Sequence, residues 1–192
     1  MNAISQIITQ QLSGSVSKQI AARLGISEGN AATALQIAVP LILAALARNA
    51  SRPEGATALH QAVATDHDGS VLDNLMGYLG NPAAANGAGI LGHVLGGQRQ
   101  TVENNLAQAA GLDQNAAGSL LELVAPLVMG AVGRTQHENG LDSSGLAQFL
   151  GEEQQQQASA PGMQGMLSSM LDSNQDGKVT DDLARIAGNF FK

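Results

Sequence analysis

The chain has 192 residues, of which 44% are apolar, 13% are charged and only 2% are aromatic, and it contains no cysteine. This composition indicates a globular protein with an aliphatic core, and the lack of cysteine excludes disulfides, thiolate catalysis and cysteine-based zinc sites. The formal net charge of −7 argues against nucleic acid and anionic membrane surfaces as partners, because an acidic protein gains nothing from contacts with phosphate.

The first part of the chain predicts helices separated by glycine and proline. We expect helices over residues 2–12, 15–24, 27–49, 56–65 and 70–80. Ser27 is a good N-cap for the long third helix. Residues 52–55 predict a turn, and Ser70 with Asp73 predicts a capping box at the start of the last helix.

The second part predicts the same order of helices after an Ala/Gly-rich stretch. We expect them over residues 90–95, 98–110, 113–134, 143–150 and 179–191. Asp113 is the expected N-cap of the long helix. A Gln-rich insertion at about 151–162 predicts a mobile linker, and a short Met-rich helix follows it at about 163–171.

The sequence is internally duplicated. Leu24–Arg48 aligns without gaps on Ala110–Arg134 and gives seven identities. They are Gly25/Gly111, Ala31/Ala117, Leu35/Leu121, Pro40/Pro126, Leu41/Leu127, Ala45/Ala131 and Arg48/Arg134. Asp66–Asn81 aligns in the same way on Asn174–Asn189, at a longer spacing, and again gives seven identities.

The duplication predicts the domain organisation. We expect one helical repeat unit over residues 1–81, a linker over 82–89, and a second unit over 90–192 that carries the Gln-rich insertion. The two long helices are apolar on every side, so they must be buried at the centre. Pro40 and Pro126 predict a kink in each of them. The expected fold is therefore all-α, a duplicated multihelical bundle of two pseudo-symmetric units around two long, proline-kinked helices.

Small residues follow each proline of the two long helices. Ala44 and Ala45 stand in the first helix where Gly130 and Ala131 stand in the second. Because small side chains let two backbones approach closely, we expect the two helices to cross there.

Four segments carry a likeness to a known family. They are Asp68–Gly80 (DGSVLDNLMGYLG), Gly87–Gly97 (GAGILGHVLGG), Val102–Leu112 (VENNLAQAAGL) and Leu120–Gly133 (LLELVAPLVMGAVG). They resemble the YidB-like family of uncharacterised bacterial proteins, and the likeness covers most of the chain apart from the insertion. The resemblance implies a multihelical cytoplasmic bacterial protein without an established activity or ligand, and it supplies no catalytic residues.

One loop near the C-terminus has the beginning of a calcium-binding pattern. Asp172, Asn174 and Asp176 supply oxygen ligands at the spacing of an EF-hand, with Gly177 at the turn. The final Glu of that pattern is missing, and Asp182 is the nearest acidic residue, so any Ca²⁺ site would be weak. The alternative is an Asp-Gly turn that leads into a helix, and a related turn occurs at residues 66–71.

Other polar residues give a weaker indication of chemistry. No two of the histidines His60, His67, His93 and His137 have the spacing of a helical metal site. His93 lies in an apolar stretch, where a hydrogen-bonded core histidine is the alternative to a ligand. Glu122 lies within an apolar helix and is a candidate acid–base group, or else a polar neighbour of the carbonyl that Pro126 leaves free. The glycine-rich stretches match no nucleotide-binding motif, so we expect no organic cofactor.

These observations favour a non-enzymatic structural or interaction protein whose partner is a protein, with self-association as the first candidate. The alternatives are a weak Ca²⁺-binding module and an enzyme with a cleft between the repeats. The N-terminus has no secretory pattern. The longest apolar run, Ala34–Ala47, is shorter than the stretch of about 20 residues that a bilayer span needs. We therefore expect no membrane insertion and a cytoplasmic location.

Overall fold

The computed structural model describes residues 3–12 and 14–158. This part of the chain forms ten α-helices and no β-strand, which confirms the predicted all-α class. The helices are α1 (Ala3–Gln11), α2 (Ser15–Leu24), α3 (Glu28–Ala50), α4 (Pro53–Thr65), α5 (Ser70–Asp73), α6 (Leu75–Gly80), α7 (Gly87–Leu95), α8 (Arg99–Ala110), α9 (Gln114–Asn139) and α10 (Ser143–Ala158). Short 3₁₀ turns occupy Pro82–Ala85 and Gly96–Gln98.

The two long helices, α3 and α9, form the centre of the bundle and contact each other. Each begins at the predicted cap: Ser27 Oγ accepts a hydrogen bond from the amide of Asn30 at 3.0 Å, and Asp113 Oδ1 accepts one from the amide of Ala116 at 2.9 Å. Each helix continues past its internal proline. The side chains of α9 are almost all buried between residues 116 and 133, which confirms its predicted central place.

The shorter helices cover these two. The helix α2 packs on α3, and α8 packs on α9. The helix that follows each long helix crosses to the other one, because α4 packs on α9 and α10 packs on α3. The helices of the two predicted units are therefore interleaved around one core rather than separated into two domains.

Local features recur at the spacing of the duplication. Gly25 and Gly111 both end a helix in the left-handed conformation, with φ of 67° and 64°. The residue after each glycine closes the same turn, since the amide of Ile26 donates to the carbonyl of Ala21 and the amide of Leu112 donates to that of Ala107. The superposition of two complete units stays a prediction.

Two of the small residues of α9 lie against another segment of the chain, and the predicted crossing of α3 and α9 at their small residues stays a prediction. A Cβ atom added to Gly130 would lie 2.6 Å from Val71 Cγ1 of α5. One added to Gly133 would overlap the carbonyl oxygen of His67. Gly130 and Gly133 of α9 therefore admit the segment that links α4 to α5, together with the start of α5.

Three predicted elements also differ from the structure. The helix α4 begins at Pro53, because a proline is well tolerated at the first helical position. The expected helix over residues 70–80 is divided at Asn74, whose side chain accepts a hydrogen bond from the amide of Gly77 at 3.0 Å and so starts α6. The expected capping box is absent, since Asp68 rather than Asp73 accepts a hydrogen bond from the amide of Ser70.

The Gln-rich tract is helical in its described part, not a mobile linker. Helix α10 continues through it to Ala158. Glutamate and glutamine are good helix formers, and Glu153 is buried at 3% exposure. It continues the buried stripe of Leu146 and Leu150, and this packing extends the helix.

By length and composition alone, α3 and α9 could cross a membrane, with mean hydropathies of 1.8 and 1.7 over 18 residues. The apolar run Ala34–Ala47 is only part of this length, because scattered polar residues interrupt both helices without making them polar. In the fold, 61% of the α3 window and 89% of the α9 window are buried, as in core helices of globular proteins.

Candidate functional site: the cleft between α4 and α7

A cleft of about 710 Å³ opens on the surface of the bundle. Its walls come from α4 and α7, and α3 and α9 also contribute residues to it. This volume lies in the range of pockets that bind ligands or peptide side chains. We call it the α4–α7 cleft.

The apolar part of the cleft is made of aliphatic side chains and one methionine. They are Leu46, Leu59, Ile90, Val94 and Met129, each no more than 8% exposed. No phenylalanine, tyrosine or tryptophan is among the residues that line the cleft. Its apolar part therefore suits aliphatic groups.

Polar side chains also line the cleft. They are Asn49, Arg52, Glu54, Asp66, His67, Asn86 and His93. Asn49 Nδ2 donates to the carbonyl of Val94 at 2.9 Å and so ties the end of α3 to α7. Within the part of the chain that the structure describes, Arg52, Glu54 and Asp66 form no ion pair.

Close backbone contacts fix both walls. A Cβ atom on Gly55 would overlap the carbonyl oxygen of Asn49, so only glycine lets α4 start against the end of α3. A Cβ atom on Gly87 would overlap the carbonyl oxygen of Glu122. Pro126 has no amide hydrogen for that carbonyl, and the start of α7 fills the space beside it.

The half-buried side chain of His67 lines the cleft. Burial lowers the pKa of His67 below 6.5, and the carboxylates of Asp66 and Asp68 partly oppose this effect. The imidazole is therefore neutral at pH 7 and offers one donor and one acceptor nitrogen.

The chain matches over residues 6–135 the model of a family described as a bacterial protein of unknown function, DUF937. The chain belongs to this family. Comparison with curated proteins and with solved structures gives no match. Every residue that lines the α4–α7 cleft lies inside the range matched to DUF937, so the cleft belongs to the family part of the chain.

The two residues expected at an enzyme's inter-repeat cleft have different surroundings. His93 lines the α4–α7 cleft. Glu122 does not, and it accepts a hydrogen bond from Arg99 Nη2 at 2.5 Å in a partly exposed ion pair. Glu103 binds the same guanidinium at 2.7 Å. Glu122 thus belongs to an ion-pair cluster that joins α8 to α9.

No group of three or more acidic or histidine residues within the described ranges could hold a metal ion. His60 is hydrogen-bonded to Gln136 at 3.1 Å rather than to another histidine. The Ca²⁺ candidates Asp172, Asn174, Asp176 and Asp182 lie outside the described residues. The related turn at 66–71 is an Asp-Gly turn that leads into α5, with Asp68 bound to the amide of Ser70 at 2.9 Å.

Of the polar residues that line the cleft, only His93 was expected at a cleft from the sequence. The others come from the ends of α3 and α4 and from Asn86, which are far apart in the chain. Asn86 has a φ of 49°, the only left-handed residue other than glycine in the described ranges. No periodicity marks such positions, because they become neighbours only when α4 and α7 have packed on the long helices.

Proposed function

We propose that this chain is a non-enzymatic protein-interaction protein that associates with itself through the α4–α7 cleft. Within DUF937 we assign it to YidB-like proteins, on the four segments that resemble them. We further propose that it works in the cytoplasm as a soluble bundle, with α3 and α9 as core helices. The burial of 89% of the apolar window of α9 supports that assignment.

The observation that carries the proposal is the arrangement of the cleft lining. A buried aliphatic floor lies beside charged side chains that form no ion pair among the described residues. Grooves that receive the apolar face of a helix combine an apolar floor with a polar rim. The floor supplies affinity by removing apolar surface from water, and the rim fixes the orientation of the bound helix.

The occupant that we propose is the segment Met163–Leu171 of a second copy. Its sequence, MQGMLSSML, contains no charge and places Met163, Met166 and Met170 on one face of a predicted helix. A helix of about nine residues is not stable alone in water, so this segment must dock. Methionine side chains adapt to irregular apolar surfaces, such as the floor that includes Met129.

A charge placed in the cleft tests the proposal. Ala58 lines the cleft and is exposed, whereas Ala64 is exposed on the same helix and does not line it. Ala58→Glu should weaken self-association in sedimentation equilibrium at least tenfold, because the new carboxylate must lose water in the bound state. Ala64→Glu, with the same charge on the same helix, should leave the association constant unchanged. A monomeric wild-type chain, or equal effects of the two variants, would refute the proposal.

The alternative of an enzyme with a cleft around Glu122 and His93 depends on sequence alone, since Glu122 pairs with Arg99 and His93 lines the α4–α7 cleft. The Ca²⁺ alternative depends on sequence alone. Calorimetric titration of the full chain with Ca²⁺ would test it, with Asp176→Asn as the variant that should abolish any heat of binding.

A further inference from the structure

Arg134 of α9 holds the turn that precedes α5. Its Nη2 atom donates to the carbonyl of Gly69 at 2.9 Å and to Asp73 Oδ1 at 2.6 Å. Gly69 has a φ of 96°, and a Cβ atom there would lie 2.9 Å from Arg134 Cβ. Arg134 therefore holds the turn against α9, and glycine is needed at position 69, where the turn comes closest to that helix.

The residues of this contact are the ones that the chain repeats. Arg134 has its identical counterpart in Arg48 of α3, in the alignment of the two long helices. Gly69 and Asp73 have identical counterparts in Gly177 and Asp181, in the alignment of the two Asp-Gly segments. The turn-forming Asp68 and the apolar Val71 also recur, as Asp176 and Val179. The donor and both of its acceptors are thus encoded twice.

One copy of the binding surface is covered by described residues, and the other is partly open. On α9, the residues Leu123, Pro126 and Gly130 are buried. Their counterparts on α3 are Ile37, Pro40 and Ala44, and each is partly exposed. With Arg48 they are spaced three, four and four positions apart, so they form one stripe on α3. We call it the α3 stripe.

Residues of α5 and α6 cover the matching surface of α9. Val71 and Leu72 of α5 lie against Gly130, and the hydroxyl of Tyr78 of α6 donates to the carbonyl of Leu123 at 2.8 Å. The segment that continues after the Asp-Gly turn therefore covers the face of α9 that matches the α3 stripe. Residues 176–189 are the second copy of that segment in the sequence.

The path of the chain allows the second copy to reach α3. The first turn follows α4, which packs on α9, and the second would follow α10, which packs on α3. The spacing between the two Asp-Gly segments is longer than that between the two long helices, because the chain carries an insertion between α10 and the second turn. Helix α10 continues through the start of that insertion to Ala158, and this extension is roughly 10 Å long. The remaining residues of the insertion are numerous enough for the chain to run back over this distance.

We propose that residues 176–189 dock on the α3 stripe of the same chain, with Arg48 bound to the carbonyl of Gly177 and to the carboxylate of Asp181. The apolar residues Val179 and Leu183, which match Val71 and Leu75, cover the stripe. In this arrangement Asp176 closes the turn as Asp68 does, and it is withdrawn from the candidate Ca²⁺ site.

The contact differs between the two copies at several positions, because Ile37, Thr180 and Ile186 stand where the first copy has Leu123, Leu72 and Tyr78. A further difference changes the space available for the segment. Ala44 replaces Gly130, and its Cβ atom occupies the place that would lie 2.6 Å from the Cγ1 atom of Val71 in the first copy. Val179 must therefore adopt another rotamer or lie a few tenths of an ångström farther from the helix axis. A side-chain methyl group can make this adjustment, whereas a backbone atom at that place could not.

Disulfide trapping in the full-length chain tests the proposal directly, because the chain has no cysteine of its own. The pair Ala44→Cys with Val179→Cys should form a disulfide within one chain under mild oxidation, since the matching positions in the first copy lie within bonding reach. The pair Gly130→Cys with Val71→Cys sets the expected rate. Non-reducing electrophoresis and peptide mass spectrometry identify the linked residues.

The matched control is Thr33→Cys with Val179→Cys. Thr33 lies on the same face of α3 as Ala44, about three turns earlier and thus about 16 Å away. This pair should not link. Equal linking of both pairs, a link that forms only between two chains, or no link at all would each overturn the proposal, and the second of these outcomes would identify a second copy as the occupant.

The contribution of Arg48 to the docking of residues 176–189 can be measured separately. Arg48→Ala in the Ala44→Cys, Val179→Cys background should slow disulfide formation about two- to fivefold, the factor expected for a partly exposed ion pair. Lys18→Ala, which removes an exposed cation of α2, should leave the rate unchanged. If both variants behave alike, Arg48 is not the anchor of the segment.

Discussion

Tyr78 of α6 donates its hydroxyl hydrogen to the carbonyl oxygen of Leu123 in α9, at 2.8 Å and out of contact with water. The preceding carbonyl, that of Glu122, lies against Gly87, and it is the one that Pro126 deprives of an amide donor. The ends of two short helices therefore cover two consecutive carbonyls of α9. The proline section of the central helix is stabilised by contacts from outside the helix.

Removal of the Tyr78 hydroxyl should destabilise the bundle. Tyr78→Phe keeps the ring and leaves the buried carbonyl of Leu123 without this donor, at a cost of about 1–3 kcal/mol. Urea unfolding at pH 7, followed by far-ultraviolet circular dichroism, measures the change. A free energy of unfolding equal to that of the wild type would show that the carbonyl finds another donor.

The same residue predicts a loss of stability at alkaline pH. Burial raises the pKa of Tyr78 well above its ordinary value of 10.0. The unfolded chain therefore loses this proton first, and the free energy of unfolding falls as the pH rises above about 10. Because Tyr78 is the only tyrosine and there is no tryptophan, absorbance at the tyrosinate band reports its ionisation directly. Ionisation of the folded protein at pH 10 would contradict the burial, and Tyr78→Phe should reduce the alkaline loss of stability.

Much of this fold could be predicted because its determinants are local. Ser27 and Asp113 start the two long helices through their own side-chain chemistry, as expected. Gly25 and Gly111 end helices because glycine adopts the left-handed conformation without strain. The apolar character of α3 and α9 likewise indicated a central place, because a helix without a polar face has to be buried.

The features of the structure that the sequence did not predict depend on contacts between segments that are distant in the chain. Glu153 continues the buried stripe of α10, but a charged residue in a Gln-rich tract gives no apolar periodicity. Gly133 is small because the carbonyl of His67 lies against it, and the sequence shows only that the position is small. The cleft was missed for the same reason, since its lining is assembled from four helices.

The close contact between Gly133 and the carbonyl oxygen of His67 predicts that alanine substitutions at two glycines change stability in opposite directions. Gly133→Ala places a methyl group on the carbonyl oxygen of His67, so α4 or α9 must shift and the melting temperature should fall by several degrees. Gly92→Ala is the matched control, because Gly92 is exposed in α7 and has no atom within 4 Å of the added Cβ. It should raise stability by about 0.5–1 kcal/mol through helix propensity. Similar melting temperatures for the two variants would contradict the packing described at Gly133.

His67 predicts a dependence of stability on acidic pH. Burial lowers its pKa below the ordinary value of 6.5. Between the pKa of His67 in the folded protein and 6.5, the unfolded chain binds a proton at this residue and the folded chain does not. The contribution of His67 to the free energy of unfolding is therefore present above pH 6.5 and is lost as the pH falls. An imidazole titration by nuclear magnetic resonance, assigned with His67→Gln, should give a midpoint below 6.5. A midpoint at or above that value would place His67 in contact with water.

The Met-rich segment and the cleft predict coupled effects on self-association. Met166→Gln with Met170→Gln removes two apolar side chains and keeps their length, and each buried methionine contributes roughly 1.5–3 kcal/mol. The double variant should therefore weaken the dimer by at least tenfold in sedimentation equilibrium, while Ser168→Gln on the other face serves as the control.

Combining the methionine substitutions with Ala58→Glu tests whether the segment and the cleft form one contact. If they do, the combined variant should weaken self-association far less than the sum of the separate effects. Additive effects would show that the segment and the cleft bind different surfaces. A loss of thermal stability without a change in association would show instead that the segment docks in its own chain.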